Sequence, residues 1–187
     1  MQLTNLIATA ALAGLTLAAP APVEKRQGFQ GQYTAIAHRP GAPFHGKELQ
    51  AAGLHIFVGA SGPAAYCPTS VGSACPNATD TVFAGGSMWV EVPGGQQGFT
   101  QTSGAWAYTQ AHSAYEPDYL ESAPSAAANG KIAGAKGEGL TACPVEGQEG
   151  VYQVFVEVEG FNQTHCTCFT ARAKAWGSTN FGAWQYT

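Results

Sequence analysis

Six short segments rich in β-branched and aromatic residues recur along the chain, each bounded by glycine, proline, serine or asparagine: GLHIFVG (53–59), VFAGGSMWVEV (82–92), GAWAYTQA (104–111), VYQVFVEVE (151–159), HCTCFTARAKAW (165–176) and GAWQYT (182–187). Runs this short with turn residues at their ends predict strands. Within 151–159, Tyr152, Val154, Val156 and Val158 fall on one face, and Gln153, Glu157 and Glu159 fall on the other with Phe155. One face therefore reads as core and the other as mostly wet. No segment sustains an apolar 3.6-residue period, and helical turns are expected only around GKELQAAG (46–53) and near Ala126. Residues 116–139, rich in Ala, Gly and Ser, read as a long surface excursion, and the piece beyond them is too short to fold alone. The expectation is one all-β domain, an antiparallel β-sandwich or small β-barrel with a long Ala/Gly-rich loop.

The start of the chain belongs to a different class of segment. Residues 1–18 are uncharged and apolar or small, too short for a membrane span, and end in Thr16-Leu17-Ala18, which suits signal-peptidase cleavage after Ala18. Residues 19–26 then form a Pro-rich spacer closing on Lys25-Arg26, the dibasic pair that kexin-type proteases cut, so a propeptide and a mature domain over 27–187 are expected. This processing points to a fungal secretory route. No second apolar stretch is long enough to cross a bilayer, so no membrane partner is expected once the signal is removed. Two of the eight basic residues lie in the dibasic pair, and the other six are scattered. Nucleic acid is thereby disfavoured, because it is bound by concentrated positive charge.

Export makes disulfides the expected state of the five cysteines. Cys67 and Cys75 bracket a turn-rich loop and form the first pair. Cys143 can reach Cys166 or Cys168, which alternate on one strand face, and one thiol is left over. His165 with that C-x-C fits no usual zinc spacing. Asn77-Ala78-Thr79 and Asn162-Gln163-Thr164 are glycosylation sequons, to be sought on loops or edges.

Catalytic sets are thin. A copper polysaccharide monooxygenase requires an amino-terminal histidine, and a chain starting at Gln27 lacks it. Glu157 and Glu159 lie ~7 Å apart along one strand face, near the separation that glycoside hydrolysis uses, yet acids alternating with valines are the ordinary look of a solvated sheet face. Glu91, His112 and Arg172 could be assembled into a ribonuclease only by the fold, and no serine stands in a nucleophile elbow. His38, His45 and His55 read as turn and edge residues. His112 is expected to be structural, satisfying a carbonyl or hydroxyl at a strand end before Pro117. Binding is better provided for: Trp89, Trp106, Trp176 and Trp184 could stack on sugar rings, with Trp106 and Tyr108 sharing a strand face as a possible glycan contact or as core.

The blocks YCPTSVGSACPNAT, VEVPGGQQGF and GAWAYTQAHSAY, followed by ACP, VYQVFVEV and C-x-x-F-T-A, resemble the PhiA family of secreted fungal cell-wall proteins, some of them labelled IgE-binding, from about Gly53 to the end of the chain. The resemblance implies a non-enzymatic protein of the hyphal or phialide wall, acting in conidiation or wall organisation, with some relatives known as allergens. It carries no catalytic residues and no cofactor, and its partners would be cell-wall polysaccharide or wall glycoproteins. It also matches Cys166 to the family's late cysteine, which implies a Cys143–Cys166 bridge and leaves Cys168 as an extra thiol. The alternative from another class is a small secreted hydrolase, of glycosidase or ribonuclease type, whose cleft would gather His112 or Glu157 with a partner.

Overall fold

A computed structural model describes residues 28–187; the signal and propeptide boundaries, with Lys25, Arg26 and Gln27, lie outside the described residues. The described chain holds fifteen strands: β1 (Tyr33–His38), β2 (Leu49–Ala52), β3 (His55–Val58), β4 (Ala65–Tyr66), β5 (Phe83–Ala84), β6 (Ser87–Met88), β7 (Gly98–Gln101), β8 (Trp106–Tyr108), β9 (Tyr119–Ser122), β10 (Ser125–Ala126), β11 (Lys131–Ala133), β12 (Leu140–Pro144), β13 (Tyr152–Val156), β14 (Thr167–Ala175) and β15 (Gln185–Tyr186). Among the described residues there is no α-helix, only a three-residue 3-10 turn at Gly72–Ala74. The GKELQAAG stretch is β2 and its approach, and the Ala126 stretch is β10, so neither expected helical turn forms a helix.

Thirteen strands make one antiparallel sheet that folds over as a sandwich without closing into a barrel: ten run in the order β6-β5-β1-β14-β12-β13-β3-β8-β7-β9, and three branch from it, β2 on β3, β11 on β14 and β10 on β11. Strand β14 is its pivot. One edge of β14 pairs with the whole of β1, from Tyr33 opposite Ala175 to His38 opposite Thr170. Its other edge is shared, Thr167–Phe169 taking β12 and Ala171–Arg172 taking β11. The strand can serve three partners because it is nine residues long, so one edge divides between two neighbours; its side chains alternate, Phe169 and Ala171 inward and Thr170 and Arg172 outward. A separate pair, β4 with β15, ties the end of the chain to Tyr66.

The core is organised around aromatic rings. Tyr33 stacks on Phe83 at 5.7 Å between centroids, Phe83 lies 5.3 Å from Trp106, and Phe29 meets Tyr33 edge-on at 5.4 Å. Alanines at 35 and 37 of β1 and at 171 of β14 face the same core and leave room for those rings. Phe155, expected among wet residues, is buried. It packs with Ala105, Cys143, Phe161 and Cys166 in a second small cluster on the other face of the sheet.

Residues 116–139 differ from the expected excursion, since they contain β9, β10 and β11 and bury Ala123, Ala126 and Ile132. Burial there extends to a carboxylate. Glu121 is 7 % exposed and is met by Lys136 Nζ at 2.7 Å from Oε2, an ion pair whose approach lies off the hydrogen-bond direction.

Candidate functional site

Three segments far apart in sequence meet at one groove: the loop closed by the Cys67–Cys75 disulfide, Glu91, and the tail from Trp176 to Phe181, with Trp89 behind the tail, stacked on Phe181. Backbone pairing brings them together. Val90 bridges Ala183 in parallel, with Gly182 N donating to Trp89 O (2.9 Å) and Glu91 N to Ala183 O (3.1 Å). Because β4 ends at Tyr66 and pairs with β15, the loop opening at Cys67 starts alongside that same tail. Gly182 is required by the approach: a Cβ there would collide with the Tyr186 hydroxyl and lie 2.7 Å from Val82 Cγ2.

The groove has a volume of about 610 Å3, within the roughly 300–1,000 Å3 typical of ligand sites. Its aromatic wall is held by the ring edges. Asn180 O accepts from both indoles, Trp89 Nε1 at 3.1 Å and Trp176 Nε1 at 3.0 Å. Trp89 is covered by Phe181, stacked at 4.8 Å and 29°, while among the described residues no aromatic ring stacks on Trp176. The same groove is lined by Ser178, Thr179, Asn180, Glu91, Asn77 and Thr79. A partly exposed indole fixed by its N–H and surrounded by hydroxyl, amide and carboxylate groups suits a ring with one apolar face and a polar rim.

Of the two readings of Trp106 and Tyr108, glycan contact or core, the structure shows core. Trp106 is 0 % and Tyr108 1 % exposed, both inside the main core, because the large face of β8 packs inward; Ala105 and Ala107 on the opposite face are covered as well. The Tyr108 hydroxyl donates to Thr187 O at 3.2 Å, and Trp106 Nε1 is buried without a hydrogen-bond partner. Trp176, half-buried, is the tryptophan that lines the concave surface, and the half-buried Trp89 backs it through its stack on Phe181.

A second, smaller cavity of about 260 Å3 lies beneath the TQAHSAY turn, lined by Leu54, His55, Phe99, Gln101, Tyr108 and Tyr115 among others. His55 Nδ1 donates to Gly53 O (2.9 Å), and its Nε2 lies 3.2 Å from Gln101 Oε1. Ser113 Oγ accepts from Tyr115 N (3.1 Å). The polar groups here are engaged with their own chain and do not face one another as nucleophile and base.

The acid and base sets weighed on the sequence are dispersed. Glu91 lines the aromatic groove, Arg172 is exposed on β14 opposite Ile36, and His112 is exposed in the turn after β8 with φ 60°. His112 therefore does not satisfy a buried partner as expected; it is a turn residue in the left-handed region. Strand β13 ends at Val156, so Glu157 and Glu159 do not share a strand face. Glu157 is half-buried and accepts from the Cys168 thiol, a bond that raises the thiol above its ordinary range, whereas Glu159 is exposed in a turn. Burial and the neighbouring Asp80 carboxylate hold Glu48 above the usual carboxylate range. His38 and His45 meet edge-on at 4.9 Å, with His45 Nδ1 accepting from Arg39 N at 3.2 Å; His55 is in the small cavity.

Bridges join Cys67 to Cys75 and Cys143 to Cys166, and Cys168 is a free, exposed thiol. Asn77 and Asn162 are both exposed outside any strand.

Over residues 33–187 the sequence matches the PhiA-like secreted protein family. A relative from Arthroderma benhamiae, described as an uncharacterized secreted protein, is 40% identical over 152 residues, covering 74% of this chain and 77% of its own. No solved structure matches the chain. The matched region runs from the first residue of β1 to Thr187 and contains both disulfides, the groove and its tryptophans: the chain belongs to the PhiA-like secreted protein family.

Proposed function

We propose that this secreted protein is a non-catalytic component of the fungal cell wall that contacts wall polysaccharide, chitin or β-glucan, through the groove lined by Trp176 and Phe181, and serves wall organisation during conidiation. The observation that carries the reading is the Trp176 indole, anchored together with Trp89 on Asn180 O and lining a concave, hydroxyl- and amide-rimmed surface. Stacking on a sugar's CH face uses the ring plane, and an indole already bonded through its N–H presents that plane with little further loss of conformational entropy. The polar rim supplies side-chain partners for sugar hydroxyls, and its single carboxylate, Glu91, suits hydroxyl binding better than two-carboxylate hydrolysis. Family membership supports secretion and a fungal setting.

The test is a pull-down of mature protein on insoluble chitin and β-glucan, with released reducing sugar assayed in the same tubes. Wild type is expected to be retained without sugar release. Trp176→Ala should weaken retention about tenfold, the loss of one stacked ring. Release of reducing sugar would establish the hydrolase alternative instead, and equal retention of Trp176→Ala would remove the groove from the reading.

A further inference from the structure

The aromatic groove has a candidate occupant built into the chain. Asn77, the acceptor residue of Asn77-Ala78-Thr79, is exposed and lines the same groove as Trp176 and Phe181. Its backbone is fixed on both sides. Two residues earlier Cys75 is bridged to Cys67, Thr79 N donates back to Asn77 O at 2.9 Å, and Ala78 between them packs against the main core. A substituent on Asn77 Nδ2 therefore leaves the chain from a rigid origin at the groove's own rim. Asn162, in contrast, is exposed on a loop and is not among the residues of this groove.

We propose that an N-linked glycan on Asn77 occupies the groove, its first N-acetylglucosamine residues lying against Trp176, so that glycosylation of this one sequon governs whether the groove is open to external polysaccharide. This rests on the reading that the groove takes sugar rings. The attachment is ordinary secretory chemistry. Asn77 Nδ2 attacks C1 of a lipid-diphosphate-linked oligosaccharide, the N–C1 bond forms as the C1–O bond to diphosphate breaks, the amide gives up one proton, and the lipid diphosphate leaves with the bonding electrons. Transfer precedes folding, so the sugar is in place when the tail carrying Trp176 closes over the loop. The tether then raises the effective concentration of sugar at the groove far above that of a free competitor.

The experiment compares wild type, Asn77→Gln, Asn162→Gln and Thr79→Ser, all secreted from a glycosylating yeast host, by intact mass, acrylamide quenching of tryptophan fluorescence and retention on chitin and β-glucan. Thr79→Ser keeps the sequon and controls for the change in the loop. Endoglycosidase trimming to a single N-acetylglucosamine adds a form with unaltered sequence. The expected result is a glycan on Asn77, tryptophans shielded in wild type, Thr79→Ser and trimmed protein, and several-fold stronger quenching and retention in Asn77→Gln, with Asn162→Gln like wild type. An unmodified Asn77 in the secreted protein, or quenching and retention equal in wild type and Asn77→Gln, overturns the proposal. Shielding lost in Asn77→Gln with no retention of either form would keep the tethered occupant and refute the wall-polysaccharide reading. Equal, Trp176-dependent retention of both forms would do the reverse.

Discussion

At position 112 the backbone, not the ring, sets the requirement. His112 adopts φ 60°, and its side chain is exposed in the turn that leads from β8 toward β9. The left-handed region costs an ordinary L-residue roughly 1–2 kcal/mol, is reached more easily by asparagine, and is free of steric penalty for glycine. His112→Asn and His112→Gly should therefore match or exceed wild-type stability, while the β-branched His112→Val should lose about 1 kcal/mol or more in urea denaturation. A large loss in His112→Asn together with tolerance of His112→Val would show that imidazole chemistry, not turn geometry, holds the position. The residue types of AYTQAHSAY were legible, but the sign of φ was not. A histidine between Ala and Ser carries no local signal for a left-handed turn comparable with Asn-Gly.

Among the strands, those with valine, phenylalanine or tryptophan at alternate positions, β3, β8, β13 and β14, were legible because each carries its own apolar signal. Strands β1, β7, β9 and β12 were not, since YTAIAH, GFTQ, YLES and LTACP are small, polar or mixed; β1 buries Tyr33 against Phe83 of β5, and β12 buries Leu140 and Ala142 in the main core. The groove escaped the sequence for a related reason. Its three segments are joined by the Val90–Ala183 bridge and the β4–β15 pair, contacts between short extended pieces with no periodicity to reveal them. Phe155, assigned to a wet face, lies beneath the 157–166 loop that the Cys143–Cys166 bridge fastens down. That bridge closes a separation of 23 residues against 8 for Cys67–Cys75, so chain entropy alone gives it about 3.4 kcal/mol against about 2.6. Removing it as Cys143→Ala with Cys166→Ala should cost at least about 3 kcal/mol and open the 157–166 loop to limited proteolysis. Equal losses for the two bridges, with no new cleavage in that loop, would show that the second cluster does not depend on its disulfide.

For the molecule as a whole, the all-β class and the antiparallel sandwich were legible from turn spacing, while the threading of the chain's end through the core was not. Tyr186, in the last strand and 1 % exposed, accepts from Val82 N at 3.0 Å and donates to Asp80 O at 2.8 Å, and its backbone is bonded on both sides by the Gln96 amide. Tyr33 and Tyr108 are buried with it, and burial pushes all three phenols up, Tyr33 to about 12 and the other two further. A phenol whose folded pKa is raised binds its proton in the native state at pH values where the unfolded chain has already released it. Its contribution is therefore fully present below the unfolded value near 10 and is lost as pH rises toward the folded one, about 1.4 kcal/mol per group for each pH unit. Three such groups together remove about 4 kcal/mol per unit until pH passes the folded value of Tyr33, enough to exhaust a stability near the lower end of the usual range of about 5–15 kcal/mol within roughly one to two units. The protein should accordingly unfold in one cooperative alkaline transition above about pH 10, with phenolate absorbance of these three rings and loss of the β circular-dichroism signal rising together. Tyr33→Phe removes one of the three ionisations but leaves Ala126 N, which donates to that hydroxyl at 3.3 Å, without its acceptor, so it should be less stable at neutral pH yet show a shallower fall of stability with pH. An alkaline slope unchanged in Tyr33→Phe, or phenolate absorbance from the buried rings preceding the loss of structure, would show that the three hydroxyls ionise inside a core that admits hydroxide.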